Sequence, residues 1–514
     1  MRLSVKEVAE AVKGQIINND MHSESTITKV YIDSRETKPG GLFVPLQGER
    51  DGHDFIEDAF AKGAVCSFSE KPNPSHNGII IKVESTRRAL MDLGAYYRRK
   101  HNVKVIGITG SAGKTTTKEM IAQVLERKYK TKKTIGNYNN DIGMPLSIFQ
   151  LTPEDEVLVL EMGMNHAGEI TKLSQAGAPD IAVITNIGDA HIENFSTGRE
   201  GILRAKLELL DGLAPNGTVV LNGDDPLLTG PYANAKAEPF KKLYPRMADI
   251  KSMDENNIAG GHAHFVINGQ DIHINLPLPG AHMVFNALIA ATVAMEMGLT
   301  PTDITQGFDN FTPPGGRLSV MEIGGMTVIN DVYNANPASV QEAIKVVVGQ
   351  DGRKVCILGG MNELGSISRE RHKEIGNLAA EVGINVLVTV GTTAWWINEG
   401  FYDAIRRRQS QRGSIDSQPM LDETAERLFD IPKRTVSYRS DPESTRGALD
   451  IELGKLLRYS AQNQEEVQPQ VALHYETVKD FLKEWQSVLR RGDIVLIKAS
   501  RNMAFEDIIN GLKY

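Results

Sequence analysis

A glycine-rich segment near residue 110 constrains the fold of this chain more than any other part of the sequence. An apolar run at residues 103–109 leads into Gly110-Ser111-Ala112-Gly113-Lys114-Thr115-Thr116, and a helical pattern then extends to about Arg127. A strand, a tight glycine turn and a helix in this order form a phosphate-binding loop, where backbone N–H groups and the helix N-terminus face phosphate oxygens. The sequence therefore predicts a nucleotide site in an α/β domain.

The match to a phosphate-binding loop is not strict. The usual first glycine would stand at Ile108, but the chain has Gly107, one residue earlier. An ordinary glycine-rich turn is the alternative interpretation, and the Gly-Lys-Thr that follows a strand favours the phosphate loop. In that loop Lys114 would carry its charge to the β- and γ-phosphates, and the Thr115 hydroxyl would hold Mg²⁺.

Further apolar runs at residues 156–162, 180–187 and 218–222 alternate with helical patterns, which predicts a parallel sheet covered on both faces. Glu161 comes near the end of the first of these runs, at the sheet edge where ligands bind, and a carboxylate there can coordinate Mg²⁺. His191 follows the second run and is expected near the same edge. Lys206 lies in a helical pattern at residues 198–213, where spacing alone would make it a surface lysine.

Two breaks divide the chain into three predicted domains, at residues 1–100, 101–314 and 315–514. The first break is the polar stretch at residues 98–102, and the second is Phe311-Thr312-Pro313-Pro314-Gly315-Gly316-Arg317, which ends any helix. The third region repeats the strand–helix alternation. Its polar stretch at residues 404–470 is predicted to be an insertion, partly helical and partly mobile.

Composition excludes several classes of protein. Lys and Arg number 57 against 65 Asp and Glu, a net charge of −8, so no basic surplus favours nucleic acid binding. The two cysteines, Cys66 and Cys356, exclude a disulfide scaffold and favour the reducing cytoplasm. The chain shows neither a signal-peptide pattern nor an apolar run long enough to cross a membrane.

Taken together, these segments resemble the Mur ligase family of bacterial cell-wall synthesis over nearly the whole chain apart from residues 404–470. The resemblance rests on the phosphate turn with Lys118, on Glu161-Met162-Gly163, on Thr185-Asn186 with His191, and on Lys206-x-Glu208. Other segments are similar to the branch of the family that joins D-alanyl-D-alanine to UDP-N-acetylmuramoyl-tripeptide. They are Asp33-Ser34-Arg35, Gly136-Asn137-Tyr138-Asn139-Asn140, Asp331-Val332-Tyr333-Asn334-Ala335-Asn336-Pro337, Gly359-Gly360-Met361-Asn362-Glu363-Leu364-Gly365 and Lys498-Ala499-Ser500-Arg501.

The resemblance implies a small N-terminal α/β domain for the UDP substrate, a central phosphate-loop ATPase domain with a parallel sheet, and a C-terminal Rossmann-like domain. It implies a monomeric, ATP-dependent ligase that forms an amide bond through an acyl phosphate in peptidoglycan precursor synthesis. The implied cofactors are ATP, two Mg²⁺ ions and CO₂ bound as a lysine carbamate. Asn330 and Gly360 depart from the family, which usually has Asp at both positions.

Roles for individual residues also follow from the resemblance. The implied catalytic residues are Lys114, His191 and Lys206. The implied metal ligands are Thr115 and Glu161 for one Mg²⁺, and His191 with carbamylated Lys206 for the other. The implied ATP contacts are Gly110, Ser111, Ala112, Gly113, Lys114, Thr115, Thr116, Asn286, Arg317, Asp331 and Tyr333. The implied substrate contacts are Asp33, Ser34, Arg35, Asn137, Asn139, Asn140, Lys498, Ser500 and Arg501.

Two alternatives remain open from the sequence. One is a related ligase with a different amino acceptor, such as a polyglutamate or cyanophycin-type synthetase. The other is a nucleotide-binding regulator without catalysis, although that class would be expected to lack a metal ligand. The third residue of the peptide substrate, lysine or diaminopimelate, is not indicated.

Overall fold

The computed structural model describes residues 1–17, 25–71, 78–254, 257–411 and 470–513. The described residues up to 99, called the N-terminal region, form a small α/β unit whose first helix begins with a capping box between Ser4 and Glu7. Its strands are β1 (Leu3–Ser4), β2 (Gln15–Ile17), β3 (Thr26–Ile27), β4 (Lys29–Tyr31), β5 (Gly41–Phe43), β6 (Ala64–Ser69) and β7 (Ile79–Lys82), and its helices are α1 (Val5–Ala11), α2 (Ile56–Ala61) and α3 (Thr86–Arg99). A five-stranded sheet has the order β2-β7-β6-β5-β4 and is parallel except for β2.

Residues 104–309, called the central region, contain a six-stranded sheet in which every neighbouring pair is parallel. Its strands are β8 (Lys104–Thr109), β9 (Thr131–Lys133), β10 (Val157–Glu161), β11 (Ile181–Ile184), β12 (Thr218–Leu221) and β13 (Lys241–Leu243), and its helices are α4 (Lys114–Leu125), α5 (Gly143–Ile148), α6 (Glu169–Gly177), α7 (Arg199–Leu207) and α8 (Pro231–Lys236). The strand order β13-β12-β11-β8-β10-β9 places β8 between β11 and β10.

The central region continues into a small antiparallel sheet and two helices. These elements are β14 (Ile250–Met253), β15 (Gly261–Ile267), β16 (Gln270–Leu276), α9 (Ala281–Glu296) and α10 (Pro301–Asp309). Helix α9 is apolar around most of its circumference, with buried residues along nearly its whole length, so it packs as a central core helix rather than on the surface.

The described residues from 315 onward, called the C-terminal region, form a second six-stranded sheet. Its strands are β17 (Ser319–Ile323), β18 (Met326–Asn330), β19 (Lys354–Gly359), β20 (Val386–Val390), β21 (Val471–Tyr475) and β22 (Ile494–Lys498), and its helices are α11 (Pro337–Val348), α12 (Ser368–Glu381), α13 (Trp395–Gln411), α14 (Val478–Val488) and α15 (Glu506–Gly511). The order is β17-β18-β22-β19-β20-β21, with only the β17–β18 pair antiparallel.

The hydrophobic core is continuous between neighbouring regions. Ile106 and Ile108 of β8 pack in one cluster with α9 and with Leu318 and Ile329 from the start of the C-terminal region. Val105, on the opposite face of β8, belongs to a second cluster that includes the buried residues of the N-terminal region. This burial of apolar surface holds the C-terminal region against the edge of the central sheet.

The α/β fold predicted from the sequence is confirmed, and one detail differs from the prediction. The helical pattern at residues 198–213 is divided, because α7 ends at Leu207 and a 3₁₀ turn, Glu208–Gly212, follows it. The stretch predicted to be a partly helical insertion, residues 404–470, starts inside the regular helix α13, which ends at Gln411. The rest of that prediction, residues 412–469, lies outside the described residues. Within the described ranges, no helix is both long and apolar enough to span a membrane.

Candidate active site

Three neighbouring strands of the central sheet end together and place the main site residues at one edge. In the strand register Glu161, the last residue of β10, pairs with Ile108 of β8, and Ile184 of β11 pairs with Thr109. The phosphate turn, Glu161 and the segment that begins at Thr185 therefore start side by side. The sequence prediction of a shared sheet edge for these groups is confirmed.

The phosphate turn is built around two glycines that other residues could not replace. A Cβ on Gly110 would lie 1.8 Å from Thr185 Oγ1. Gly113 has φ +80 and caps α4, and a Cβ there would lie 2.9 Å from Asn286 Oδ1. Ile108 stands where the usual first glycine would be, but it lies within β8, before the turn begins, and it is buried there. This position can therefore carry a large side chain.

Side chains from the β11 end brace this turn. Thr185 Oγ1 donates to Ala112 O at 2.6 Å, and the Asn186 side chain accepts from Ala112 N at 2.9 Å. Asn186 O accepts from Ser111 N at 3.0 Å. The Ser111 and Ala112 amides are thus bonded within the protein. The amides that remain to face a phosphate are those at the start of α4, where the first-turn N–H groups have no carbonyl partner in the helix.

Lys114, the first residue of α4, lies over the mouth of the turn. Its Nζ donates to Gly110 O at 2.7 Å. Burial lowers the pKa of Lys114, an effect that the nearby Arg317 charge increases and Glu161 opposes. The ammonium, Glu161 and Arg317 are therefore close enough to interact electrostatically at this edge.

Glu161 is almost fully buried, at 1% exposure, and only one of its two oxygens is bonded. Oε1 accepts from Asn139 Nδ2 at 2.8 Å, and the backbone N–H of Glu161 donates to Thr134 Oγ1 at 2.8 Å. Within the part of the chain that the structure describes, Oε2 has no hydrogen-bond partner. A buried carboxylate oxygen without a donor is unfavourable unless a cation or ligand satisfies it, so this oxygen fits the predicted metal ligand.

Lys118, one helical turn after Lys114, is fully buried. Its Nζ donates to Thr134 O at 3.0 Å and to Gly136 O at 2.9 Å, and it lies 3.9 Å from Glu161 Oε2. These contacts hold the segment that carries Asn139. Lys118 therefore organises the surroundings of Glu161, a role that the sequence pattern did not assign to it.

Lys206 is also buried, at 1% exposure, which corrects the surface position suggested by its helical spacing. In contrast to Lys118, no hydrogen bond or ion pair to its amine occurs among the described residues. Burial, together with the nearby charge of Lys114, holds the pKa of Lys206 well below its usual value. The protein thus keeps a buried amine, with a lowered pKa, close to the ammonium of Lys114 at the phosphate turn.

The C-terminal region contributes Arg317 directly to the phosphate turn. Arg317 Nη2 donates to Thr115 Oγ1 at 2.9 Å, and its guanidinium stacks on the Tyr333 ring at 3.8 Å from the centroid. Arg501 lies over the same ring at 5.3 Å. These contacts bring Thr115, a predicted metal ligand, together with three residues predicted to contact nucleotide or substrate, which are Arg317, Tyr333 and Arg501.

Buried contacts fix the position of Arg317. Lys498 Nζ lies 2.5 Å from Asp331 Oδ2 and donates to Asn334 O at 2.9 Å, while Asp331 Oδ1 accepts from Leu318 N at 3.3 Å. Asp331 and Lys498 thus clamp the chain next to Arg317. Ser500 Oγ accepts from Asn362 N at 3.0 Å. For Lys498 and Ser500, predicted to bind substrate, the structure shows contacts within the protein.

His191 meets the C-terminal region rather than the phosphate turn. Its Nδ1 lies 2.6 Å from Glu363 Oε2, although outside good hydrogen-bond alignment. The pKa of Glu363 is lowered by its pairing with His191. The neighbouring Asp189 is bound by Arg199 at 2.5 Å and contacts Arg371 of α12 at 3.1 Å.

The remaining predicted residues lie around this centre or apart from it. Asn286 packs beside Gly113, and Asn140 Oδ1 accepts from Gly143 N at 2.8 Å, which caps α5. Asn137 is exposed near Asn139. The Asp33-Ser34-Arg35 segment lies in the N-terminal region. Arg35 pairs there with Asp33 at 2.6 Å and lowers the pKa of Asp33 to about 2. Lys62 Nζ donates to Ser34 O at 3.2 Å.

Of the two predicted Mg²⁺ sites, the one formed by His191 and Lys206 has oxygen donors only if Lys206 is carbamylated. Among the described residues, no group of three or more His, Cys, Asp or Glu side chains is arranged to hold a metal. Thr115 and the unbonded oxygen of Glu161 provide hard oxygen donors, as Mg²⁺ requires. A buried amine at residue 206, with its pKa lowered by burial and by the charge of Lys114, fits conversion to a carbamate, which would add the missing oxygens.

The parallel sheet, the phosphate turn and a second α/β region placed over that turn define a nucleotide-dependent enzyme. Mur ligase family models match the chain in three parts: the family's catalytic domain at residues 26–98, its middle domain at 108–294 and its glutamate ligase domain at 316–412. The chain belongs to the Mur ligase family.

Known relatives agree over the whole length. The UDP-N-acetylmuramoyl-tripeptide–D-alanyl-D-alanine ligase of Bacillus subtilis is 33% identical over 520 aligned positions, which cover 100% of this chain and 98% of that protein. A crystal structure of MurF from Acinetobacter baumannii superposes with TM-score 0.82 at 27% identity, covering 100% of this chain and 99% of that one. MurF ligase from Thermotoga maritima, solved in complex with ADP, gives 0.73 at 25% identity, with 94% and 97% covered.

Proposed function

We propose that this chain adds D-alanyl-D-alanine to UDP-N-acetylmuramoyl-tripeptide, with ATP converted to ADP and phosphate, in peptidoglycan precursor synthesis. The observation that carries the proposal is the sheet edge itself. The phosphate turn lies there beside a buried Glu161 oxygen that has no hydrogen-bond partner among the described residues, and the buried amine of Lys206 interacts electrostatically with Lys114. The full-length similarity to D-alanyl-D-alanine-adding ligases supports this choice of acceptor over other amines.

ATP would be held by the turn with its triphosphate along the N-terminus of α4. The free amides of the first turn and the positive end of the helix dipole stabilise phosphate oxygens. Lys114, already at the mouth of the turn, would move its ammonium from Gly110 O to the β- and γ-phosphates. Arg317, stacked on Tyr333, would face the same phosphates from the C-terminal region.

The reaction activates a carboxylate that is otherwise a poor electrophile. One oxygen of the peptide carboxylate attacks the γ-phosphorus, the bond to the β-phosphate oxygen breaks, and ADP leaves, which gives an acyl phosphate. Phosphoryl transfer needs little covalent help from side chains, so catalysis rests on positioning and charge stabilisation by Lys114 and Arg317. Docking of the C-terminal region over the turn would exclude water from the acyl phosphate.

In the second half-reaction the amine of D-alanyl-D-alanine attacks the activated carbonyl carbon. The carbon–oxygen bond to the phosphate breaks, inorganic phosphate leaves, and the nitrogen loses a proton as the amide forms. The predicted substrate residues are proposed to serve in two places. Asp33, Ser34 and Arg35 would bind the UDP end, and Asn137, Asn139 and Asn140 with Ser500 and Arg501 would line the peptide path.

Two Mg²⁺ ions are proposed at this edge. Thr115 and Glu161 would hold one, and His191 with carbamylated Lys206 would hold the other. When bound, they would neutralise the negative charge that builds up on the transferring phosphoryl group. The carbamate would form when the neutral Lys206 amine attacks CO₂ and releases a proton, which converts a base into an anionic oxygen ligand.

We also propose three domains with boundaries near residues 100 and 314, and a cytoplasmic location. The separate sheets of the three regions support these boundaries. Both cysteines are buried free thiols, as expected in a reducing compartment.

A product assay tests the proposed function. We expect phosphate release from Mg²⁺–ATP only when UDP-N-acetylmuramoyl-tripeptide and D-alanyl-D-alanine are both present, with the UDP-linked pentapeptide as product by mass spectrometry. Glycine, glutamate and D-alanine in place of the dipeptide serve as controls for another acceptor. Release with one of these amines and none with D-alanyl-D-alanine would contradict the proposed acceptor, and phosphate release with neither co-substrate would contradict a ligase.

A further inference from the structure

We infer that Glu363 of the C-terminal region is a positioning residue for His191, so that this imidazole is oriented for its ligand only when the two regions are docked. The contact is Nδ1 of His191 to Oε2 of Glu363, at 2.6 Å. The inference rests on the proposed role of His191 as a metal ligand. A carboxylate on one ring nitrogen of a histidine leaves the other nitrogen to the metal and fixes the ring, and such partners typically change metal affinity tenfold or more.

The backbone on both sides of this contact is held in a rare conformation. His191 has φ 64 and Glu363 has φ 62, the left-handed region that residues other than glycine seldom adopt. Such strain persists only where the surroundings determine it strongly. The backbone conformation of both loops therefore contributes to bringing the two side chains together.

The loop that presents Glu363 is anchored on three sides. Gly360 N donates to Met503 Sδ at 3.0 Å, Met361 N to His372 Nε2 at 2.9 Å, and Asn362 N to Ser500 Oγ at 3.0 Å. A fixed loop delivers the carboxylate to a defined place. This gives Ser500 a specific function in the protein, since its hydroxyl bonds the residue before Glu363.

The loop that carries His191 is docked on the C-terminal region through its neighbours as well. Glu193 N donates to Glu363 O at 3.4 Å, and a Cβ on Gly365 would lie 2.8 Å from Glu193 Cβ. Asp189, which is buried, faces Arg371 of α12 at 3.1 Å. Contacts before and after His191 thus tie its orientation to the docking of the two regions.

The test measures Mn²⁺ binding by electron paramagnetic resonance with the full chain in the presence of ADP. We expect His191→Ala to weaken one Mn²⁺ site about tenfold, and Glu363→Ala to weaken the same site by a similar factor. In the double variant Glu363→Ala should add no further loss. Glu363→Gln, which keeps an acceptor oxygen, should recover part of the affinity. Glu370→Ala, an exposed carboxylate of α12, is the matched control and should bind as wild type.

Three results would overturn the inference, and they separate it from the proposed function. Unchanged Mn²⁺ affinity in both Glu363 variants, with a loss in His191→Ala, refutes the positioning role alone. If Glu363→Ala lowers Mn²⁺ affinity by the same factor in wild type and in the His191→Ala background, its effect is a general structural one, and the positioning role is refuted. Unchanged affinity in His191→Ala refutes the metal role of His191 and with it the inference. Thermal melting of each variant confirms that it is folded.

Discussion

Replacing Lys114 by alanine is expected to reduce ATP turnover by about 10³-fold, which corresponds to roughly 4 kcal/mol of transition-state stabilisation. The reason is the position of its ammonium at the mouth of the phosphate turn, 2.7 Å from Gly110 O, where it is the first side chain of α4. Binding of the UDP substrate should not change, because Asp33, Ser34 and Arg35, which are proposed to bind it, lie in the N-terminal region. Steady-state phosphate release and calorimetric titration with the UDP-linked tripeptide measure the two quantities separately.

The matched control is Lys104→Ala. Lys104 is the first residue of β8, the strand that leads into the phosphate turn, and it lies at the opposite edge of the sheet. Its ammonium pairs there with Asp180 at 3.0 Å. That variant should turn over ATP at nearly the wild-type rate. Near-normal turnover in Lys114→Ala would contradict the assignment of the phosphate site, and simultaneous loss of turnover and of UDP-substrate binding would indicate misfolding.

The second large effect is expected from Lys206→Ala, which should reduce ligation by about 10²-fold or more, or ~3 kcal/mol, through loss of a metal-binding oxygen donor. Added bicarbonate should not restore this variant. Wild-type enzyme in CO₂-depleted buffer should lose activity and regain it with bicarbonate, because burial lowers the pKa of the Lys206 amine and so favours its reaction with CO₂.

Labelling with ¹³C-bicarbonate checks the chemistry independently of activity. A carbamate resonance should appear in wild type and disappear in Lys206→Ala. Lys118 is equally buried, but its amine is bonded to Thr134 O and Gly136 O, so it should give no carbamate resonance. Lys172 is exposed, and its replacement by alanine should leave the wild-type resonance unchanged. Wild-type activity in Lys206→Ala would remove the carbamate from the mechanism.

The sequence predicted those parts of the site that depend on local pattern. A strand, a glycine turn and a helix are short-range features, and alternating strands and helices require a parallel sheet whose ends share an edge. For that reason the neighbouring positions of the phosphate turn and Glu161 could be predicted. The importance of Lys206 came from family resemblance, since helical spacing alone indicated a surface residue.

The contacts between regions could not be predicted in the same way. Arg317 and Thr115 are separated by 202 residues, and no local pattern indicates that a guanidinium from one sheet reaches a hydroxyl beside another. The pairing of His191 with Glu363 has the same origin. The burial of Lys118 could not be predicted for a different reason. Its spacing from Lys114 predicts a common helix face, but only the packed structure shows that Lys118 is buried against Thr134 and Gly136.

The central claim is that ATP activates the peptide carboxylate as an acyl phosphate, and oxygen transfer tests it most directly. UDP-N-acetylmuramoyl-tripeptide is prepared with ¹⁸O in the carboxylate that forms the new amide, and the phosphate released with D-alanyl-D-alanine is analysed by mass spectrometry. An acyl phosphate predicts one ¹⁸O atom in each phosphate, because the bridging oxygen leaves with phosphorus. Unlabelled phosphate, released together with ligated product, would contradict the mechanism.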